Sequence, residues 1–241
     1  MIIAQISDIH AAPGNDNLAR FDRALAWLKH VMPDVLVITG DLIDDGWTGG
    51  YRAFAARLKS MPWSTYVLPG NSDERTAMGV LYQGATGASD ALHFAADCGE
   101  IRLIGLDSTL ATTPAGSVAE HLPWLDTALS APGPATSILF LHHHVFASGI
   151  APLDEIMCLD HQALHDFLLH HPRRPAMIAS GHVHRPISGS LAGIPAWICG
   201  SLCPVNPAWF GTPNVPPVTD APSLMLYRYA GGVLTSHLVN V

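Results

Sequence analysis

Ile2-Ile3-Ala4-Gln5-Ile6-Ser7-Asp8-Ile9-His10 opens the chain. An Ile-rich apolar run closed by polar residues, with Ala11-Ala12-Pro13-Gly14 behind it, reads as a buried strand entering a loop. Residues two apart on an extended chain point to one side, so Asp8 and His10 can face a single object. A carboxylate and an imidazole converging at a strand end form half of a metal site. Alone, such a pair is more often a turn-capping acid beside an exposed histidine. Its meaning depends on what later strands bring.

Three further apolar runs have the same form. Val35-Leu36-Val37-Ile38 reads as a strand buried on both faces and ends in Thr39-Gly40-Asp41. Thr65-Tyr66-Val67-Leu68 ends in Pro69-Gly70-Asn71-Ser72-Asp73, and Ala176-Met177-Ile178-Ala179 in Ser180-Gly181-His182-Val183-His184. A fourth, Ser137-Ile138-Leu139-Phe140-Leu141, ends in His142-His143-His144. Between the first strands, Leu18, Phe21, Leu25, Leu28 and Met32 repeat at helical spacing, with Asp16 or Asn17 as cap and Pro33 as stop. A second helix is expected over 50–60, a third over 119–129, and a fourth that Asp160 caps and Pro172 ends. The opening alternation is β-α-β-α-β, the pattern of a layered α/β fold. Ala91 to Ala95 and Ile101 to Leu106 read as a hairpin joined through Asp97-Cys98-Gly99-Glu100. Residues 145–159 form a loop, and short strands are expected near 189–191, 195–199, 224–229 and 233–238. The Pro-rich stretch 203–222 has no periodicity and is expected at the pocket or at a subunit interface.

The 241 residues suit one domain, 1–241. Hydrophobic residues make up 49% and charged residues 13%, which implies a buried globular core and excludes disorder. Net charge is −8 and the only lysines are Lys29 and Lys59, so a nucleic-acid polymer is excluded as the main partner. No signal peptide and no membrane-spanning stretch of roughly 20 apolar residues are found, which predicts a cytoplasmic protein without a membrane partner. Cys98, Cys158, Cys199 and Cys203 lack zinc-type spacing and read as small buried hydrophobes. His161 and His165 read as a solvated helix face, and Asp44, Asp45 and Asp107 as turn residues.

Five strands thus end in metal-competent residues: Asp8 and His10, Asp41, Asn71, His142, and His182 with His184. In α/β sheets, sites assemble beyond the carboxyl ends of strands, so these loops can meet in one crevice. Seven donors are too many for one ion and suit two ions sharing a carboxylate. Gly40, Gly70 and Gly181 each precede a ligand, where tight turns favour glycine.

The motifs Asp8-Ile9-His10, Gly40-Asp41, Gly70-Asn71-Ser72-Asp73, His142 and Gly181-His182-Val183-His184 resemble the five motifs of the calcineurin-like metallophosphoesterases. Among these the chain is most similar to bacterial class III cyclic nucleotide phosphodiesterases and the related glycerophosphodiesterases. The resemblance implies a four-layer αββα sandwich, a homodimer or higher homo-oligomer, and two iron, manganese, zinc or cobalt ions. It assigns Asp8, His10 and His184 to one ion, Asn71, His142 and His182 to the other, and Asp41 to both. It also implies hydrolysis of small phosphodiesters by a hydroxide bridging the ions. The alternatives are a phosphomonoesterase, a dinucleoside polyphosphate hydrolase, or a non-catalytic scaffold on the same fold. One position departs from the family, which places histidine between Asn71 and Asp73, where this chain has Ser72. A hydroxyl can donate a hydrogen bond but is a poor general acid near neutral pH. Ser72, His143 and His144 therefore become candidates for substrate contact, with Asn71 and His143 as the candidate catalytic residues and His143 as the proton donor.

Overall fold

The computed structural model describes residues 1–81 and 91–241. Among the described residues, eleven strands and six helices keep the expected order, to which two of the helices are short additions. One is Arg75–Met78, and the other, Ala151–Asp154, interrupts the loop expected over 145–159, where Pro152 sits in a first helical turn. The elements are β1 (Ile2–Ile6), α1 (Asn17–Val31), β2 (Val35–Thr39), α2 (Gly50–Lys59), β3 (Ser64–Leu68), α3 (Arg75–Met78), β4 (Phe94–Cys98) and β5 (Ile101–Gly105). After these come α4 (Leu122–Ser130), β6 (Thr136–Phe140), α5 (Ala151–Asp154), α6 (His161–His170), β7 (Met177–Ser180), β8 (Ile187–Leu191), β9 (Ile194–Ile198), β10 (Ser223–Ala230) and β11 (Val233–Asn240). They form two mixed sheets, ordered β11-β10-β1-β2-β3 and β4-β5-β6-β7-β9-β8. Among the described residues, no helix is long and apolar enough to cross a membrane.

The period of two along each strand sorts the side chains into layers. Ile3, Val35 and Val37 from one sheet meet Ile101, Leu103, Ile138, Phe140, Met177 and Ala179 from the other. The alternate residues Ala4, Ile6, Leu36 and Ile38 face outward onto Phe21, Leu25 and Leu28 of α1 and Phe54 of α2. On the far side, Ile104, Leu139 and Ile178 pack against Leu125 and Leu129 of α4 and Leu164 and Leu168 of α6. Strands buried on both faces therefore need continuous apolar runs, as the sequence has them. The product is a four-layer αββα sandwich.

A buried polar group sits in the inner layer around Gln5. Gln5 is fully buried, donates through Nε2 to Thr39 Oγ1 at 2.9 Å and to the Ser180 carbonyl at 3.1 Å, and accepts from the Tyr227 hydroxyl at 2.5 Å. It ties β1, β2 and β10 of one sheet to β7 of the other, just below the loops that carry Asp8, Asp41 and His182.

Two local expectations shift. The first hairpin strand runs over Phe94–Cys98 instead of Ala91 to Ala95, because a two-residue Gly99-Glu100 connection pairs Cys98 with Ile101. That register sets Asp97 opposite Arg102, whose Nε donates to its carboxylate at 2.6 Å. Asp160 stands before α6 but makes no side-chain cap there. Its carboxylate accepts from Ser117 Oγ at 2.6 Å and from the Val118 and Ala119 amides, so it organises the approach to α4 instead. Residues 199–222 form no helix or strand, in keeping with their prolines.

Tyr227→Phe removes the hydroxyl and leaves Gln5 Oε1 buried without its donor. A loss of about 1–3 kcal/mol in unfolding free energy by urea titration is expected, and an unchanged midpoint would show that the amide finds another partner.

Candidate metal centre

β1, β2 and β3 run parallel in one sheet and β6 and β7 in the other. The loops after them meet at one edge of the sandwich. The Asp8 amide donates to the Gly40 carbonyl at 3.1 Å and the Gly181 amide to the His142 carbonyl at 2.9 Å. Across the sheets, His142 Nδ1 lies 2.7 Å from the Thr39 carbonyl. The backbone is held in an unusual form here. Among the described non-glycine residues, eight have positive φ, and five of them are Asp8, His10, Asp41, His182 and His184, at 51° to 74°. Such conformations cost energy and persist where surrounding structure enforces them, commonly at functional sites. The preceding glycines contribute differently. Gly40 is itself left-handed at φ 94°, whereas Gly181 is needed for close approach, since a Cβ there would strike Ser7 and Asp8.

All seven expected donors converge, in two groups that share one oxygen. In the first, His10 Nε2 is 3.0 Å from His184 Nε2 and 3.2 Å from Asp41 Oδ2, while His184 Nε2 is 3.5 Å from Asp8 Oδ1. In the second, His142 Nε2 is 3.1 Å from Asn71 Oδ1, 3.2 Å from His182 Nδ1 and 3.5 Å from the same Asp41 Oδ2. The remaining carboxylate oxygens are pinned by backbone. Asp41 Oδ1 accepts from the Ser72 amide at 2.8 Å, and Asp8 accepts from the His182 amide at 3.0 Å.

The hydrogen bonds fix which way the imidazoles present their lone pairs. His10 Nδ1 is 2.7 Å from Asp44 Oδ1 and His142 Nδ1 faces the Thr39 carbonyl. Both partners only accept, so in the neutral rings both Nδ1 atoms carry the hydrogen and both Nε2 atoms point lone pairs inward. Those lone pairs meet other acceptors: a carboxylate, an amide oxygen and further ring nitrogens. In a pocket where Asp8, Asp41 and His142 are at most 2% exposed, that arrangement is repulsive unless positive charge sits among the atoms. The donor set therefore fits cations, and its mixed nitrogen and oxygen character suits transition metals.

Without cations, protons take that place. Burial opposes charge on His10 and His142, but the hydrogen bonds and charge of Asp41, with Asp8 nearby, outweigh it and push the rings up to about 10 and about 9. Burial drives His182 well down and His184 down, with neighbouring imidazoles adding to it, most of all His142 at His182. Asp73, behind Asp41, is raised to about 7 by burial and by the Asp41 charge. It binds the Gly70 and Leu42 amides and the Tyr51 hydroxyl, which joins the loops carrying Asn71 and Asp41.

The candidates for substrate contact lie close by, on different terms. His143 is fully buried with both nitrogens engaged, Nε2 on the Pro114 carbonyl at 2.9 Å and Nδ1 on Ser108 Oγ at 2.8 Å. Burial lowers it to about 3. Proton donation from this ring would require breaking one of those bonds. His144 Nε2 is 3.2 Å from Asp154 Oδ1, while its Nδ1 has no partner among the described residues. The Ser72 hydroxyl likewise has none, and its amide touches Asp41.

Two residues read otherwise in the sequence belong here. Asp44 is more than a turn residue, because it orients His10. Cys203 is buried, yet its sulfur lies 3.2 Å from His184 Nδ1. His161 and His165 stay on the outer helix, away from the site, with His165 on Asp166. A cleft of about 480 Å³ reaches His10 and His184 past Asn15, Asn17, Asp44, Cys203 and Pro204, so the start of the Pro-rich segment forms one wall.

The family model described as "Calcineurin-like phosphoesterase" matches residues 1–186. Among curated proteins, "Probable glycerophosphodiester phosphodiesterase GpdQ" of Arcobacter nitrofigilis is 29% identical over 77% of this chain and 72% of its own length. "3',5'-cyclic adenosine monophosphate phosphodiesterase CpdA" of Pseudomonas aeruginosa is 27% identical over 77% of this chain and 70% of its own. Among solved structures, a dimetal phosphatase from Danio rerio superposes with a TM-score of 0.72 over 100% of this chain and 96% of its own, at 13% identity.

Cation loading must displace the protons that Asp41 holds on His10 and His142. Calorimetric titration of the cation-free chain with Mn²⁺ near pH 7.5, in buffers of differing ionisation enthalpy, should show at least one proton released, with affinity rising as pH rises. Uptake independent of buffer and pH would contradict this reading of the two rings.

Proposed function

Because the chain belongs to the calcineurin-like phosphoesterases, we propose that it hydrolyses small phosphodiesters, cyclic nucleotides or glycerophosphodiesters, with a pair of bound cations. Asp8, His10 and His184 would hold one cation, Asn71, His142 and His182 the other, and Asp41 both. The observation that carries this is Asp41 Oδ2, which lies 3.2 Å from a nitrogen of the first group and 3.5 Å from one of the second. The cation pair supplies charge neutralisation for the phosphate and a water acidic enough to attack at neutral pH.

The chain's own residues contribute position and environment. Asp44 and the Thr39 carbonyl hold two rings in one tautomer. The Ser72 and His182 amides orient the two carboxylates. Burial keeps these charges in low dielectric, where they act strongly. Retention of all seven donors argues for an enzyme over a scaffold. A net charge of −8 with two lysines favours small substrates gripped by cations over long polyanions. Iron, manganese, zinc and cobalt all suit these donors.

The decisive test is a substrate panel after reconstitution with each metal: bis-p-nitrophenyl phosphate, p-nitrophenyl phosphate, 3′,5′- and 2′,3′-cyclic AMP, and glycerophosphodiesters. Hydrolysis of diesters that chelator abolishes is expected. Preference for the monoester would move the function to a phosphatase, and no turnover with any metal would overturn the enzyme reading. Ser72 gives a second test. General acid catalysis contributes roughly 10²- to 10⁴-fold, and neither ring nitrogen of His143 is free to supply it. Ser72→His should therefore raise kcat on unactivated diesters more than on p-nitrophenyl esters, whose leaving group needs no proton. An equal or reduced kcat on both would count against that role.

A further inference from the structure

We infer that Cys203 is a positioning residue for the cation site of Asp8, His10 and His184, holding the His184 ring through its Nδ1. The inference rests on the two-cation reading and adds to it a residue outside the seven donors.

The inward-facing rings share a pattern. His10 Nδ1 is held by Asp44 at 2.7 Å and His142 Nδ1 by the Thr39 carbonyl at 2.7 Å, which leaves Nε2 of each for the centre. His184 also turns Nε2 inward, toward His10 and Asp8. The atom facing its Nδ1 is Cys203 Sγ, at 3.2 Å. Sulfur is a weak acceptor, but here it is the atom facing Nδ1 of a half-buried ring. Sγ also lies 3.5 Å from the Pro204 carbonyl, which can accept the thiol hydrogen. The sulfur therefore accepts from the ring and donates to backbone. It stands across the ring from the atom that His10 approaches, the place of an orienting partner. Direct ligation is the competing role, because the sulfur also lies within 4.8 Å of donor atoms of His10 and His184.

The backbone of Cys203 is tied to the same cation site. Its amide donates to the Asp8 carbonyl at 3.0 Å, so one residue touches two of the three donors assigned to that ion. Its carbonyl accepts from Ser201 Oγ at 2.9 Å. The following chain is strapped to the histidine motif as well. Asn206 Nδ2 donates to the Val183 carbonyl at 3.1 Å, and Arg185 Nε donates to the Asn206 carbonyl at 2.9 Å while its guanidinium pairs with Asp220 at 2.8 Å. A segment without helix or strand is thus fixed where its first side chain must meet His184. Partners of this kind set tautomer and ring orientation, and losing one typically costs about 10- to 100-fold in metal affinity.

The test compares the native chain with Cys203→Val, which keeps volume without an acceptor, and Cys203→Ser, which restores one. Each is titrated with Co²⁺ by calorimetry and by visible absorption, and His184 is followed by ¹⁵N NMR. In the valine variant, one of the two Co²⁺ affinities should fall about 10- to 100-fold while the other holds. The His184 resonance should also lose its single Nδ1–H tautomer, and serine should recover most of both. Two unchanged affinities in a folded valine variant would overturn the inference alone. A sulfur-to-cobalt charge-transfer band in the native chain would make Cys203 a ligand and overturn it too. Failure of the native chain to bind any Co²⁺ would overturn the two-cation reading and this inference with it. If valine prevents folding, serine with native affinities but alanine with one weakened site supports the inference, and equal affinities in serine and alanine overturn it.

Discussion

Mutual repulsion among acceptors is the constraint from which the architecture of this protein follows. Carboxylate, amide and imidazole lone pairs are pressed to within 3.0–3.5 Å of one another in a largely buried space that opens to the cleft at His10 and His184. Left to themselves these atoms would separate. They are kept together by loops at the ends of strands locked in two parallel arrays, by left-handed backbone at five donors, and by hydrogen bonds to the outward atoms of His10, His142, Asp8 and Asp41. Rigid support comes first, and affinity for positive charge is its result.

The supporting layer is built from cheap parts. Backbone amides of Ser72 and His182 point the two carboxylates, and a carbonyl points His142. Only Asp44 and Cys203 spend side chains on the task. Gln5 lies beneath, matching the two sheets in height so that donors from both arrive at one level. The same economy explains why the centre tolerates a wall of irregular, Pro-rich chain beside it, since that wall is held by bonds to the histidine motif itself.

A layered α/β fold was legible because its strands are buried on both faces, which forces unbroken apolar runs, and because inner strands stop at polar clusters; its four-layer αββα form was what the family resemblance implied. The convergence of the seven candidate donors was legible for the same reason, as each lies within four residues of a strand end. What escaped was decided by distant geometry. Whether His143 is a proton donor depends on Ser108 and Pro114, some 30 residues earlier, which engage both its nitrogens. Asp44 could be told from Asp45 only by knowing where His10 turns its second nitrogen. Cys203 looked like any small buried hydrophobe until the fold set it against His184. Asp160 had the position of a helix cap, but three groups at 117–119 compete for its oxygens and win. The register of the first hairpin turned on a two-residue connection that periodicity does not resolve.

The donors come from both sheets: Asp8, His10, Asp41 and Asn71 from one, His142, His182 and His184 from the other. An ion gripped from both sides would be a rivet through the sandwich, with no counterpart in the unfolded chain. On the proposed reading, folding and ion supply would be linked by mass action, with stability growing by about 1.4 kcal/mol for each tenfold excess of free ion over its dissociation constant. The surrounding ion concentration would then help determine how long the folded chain survives.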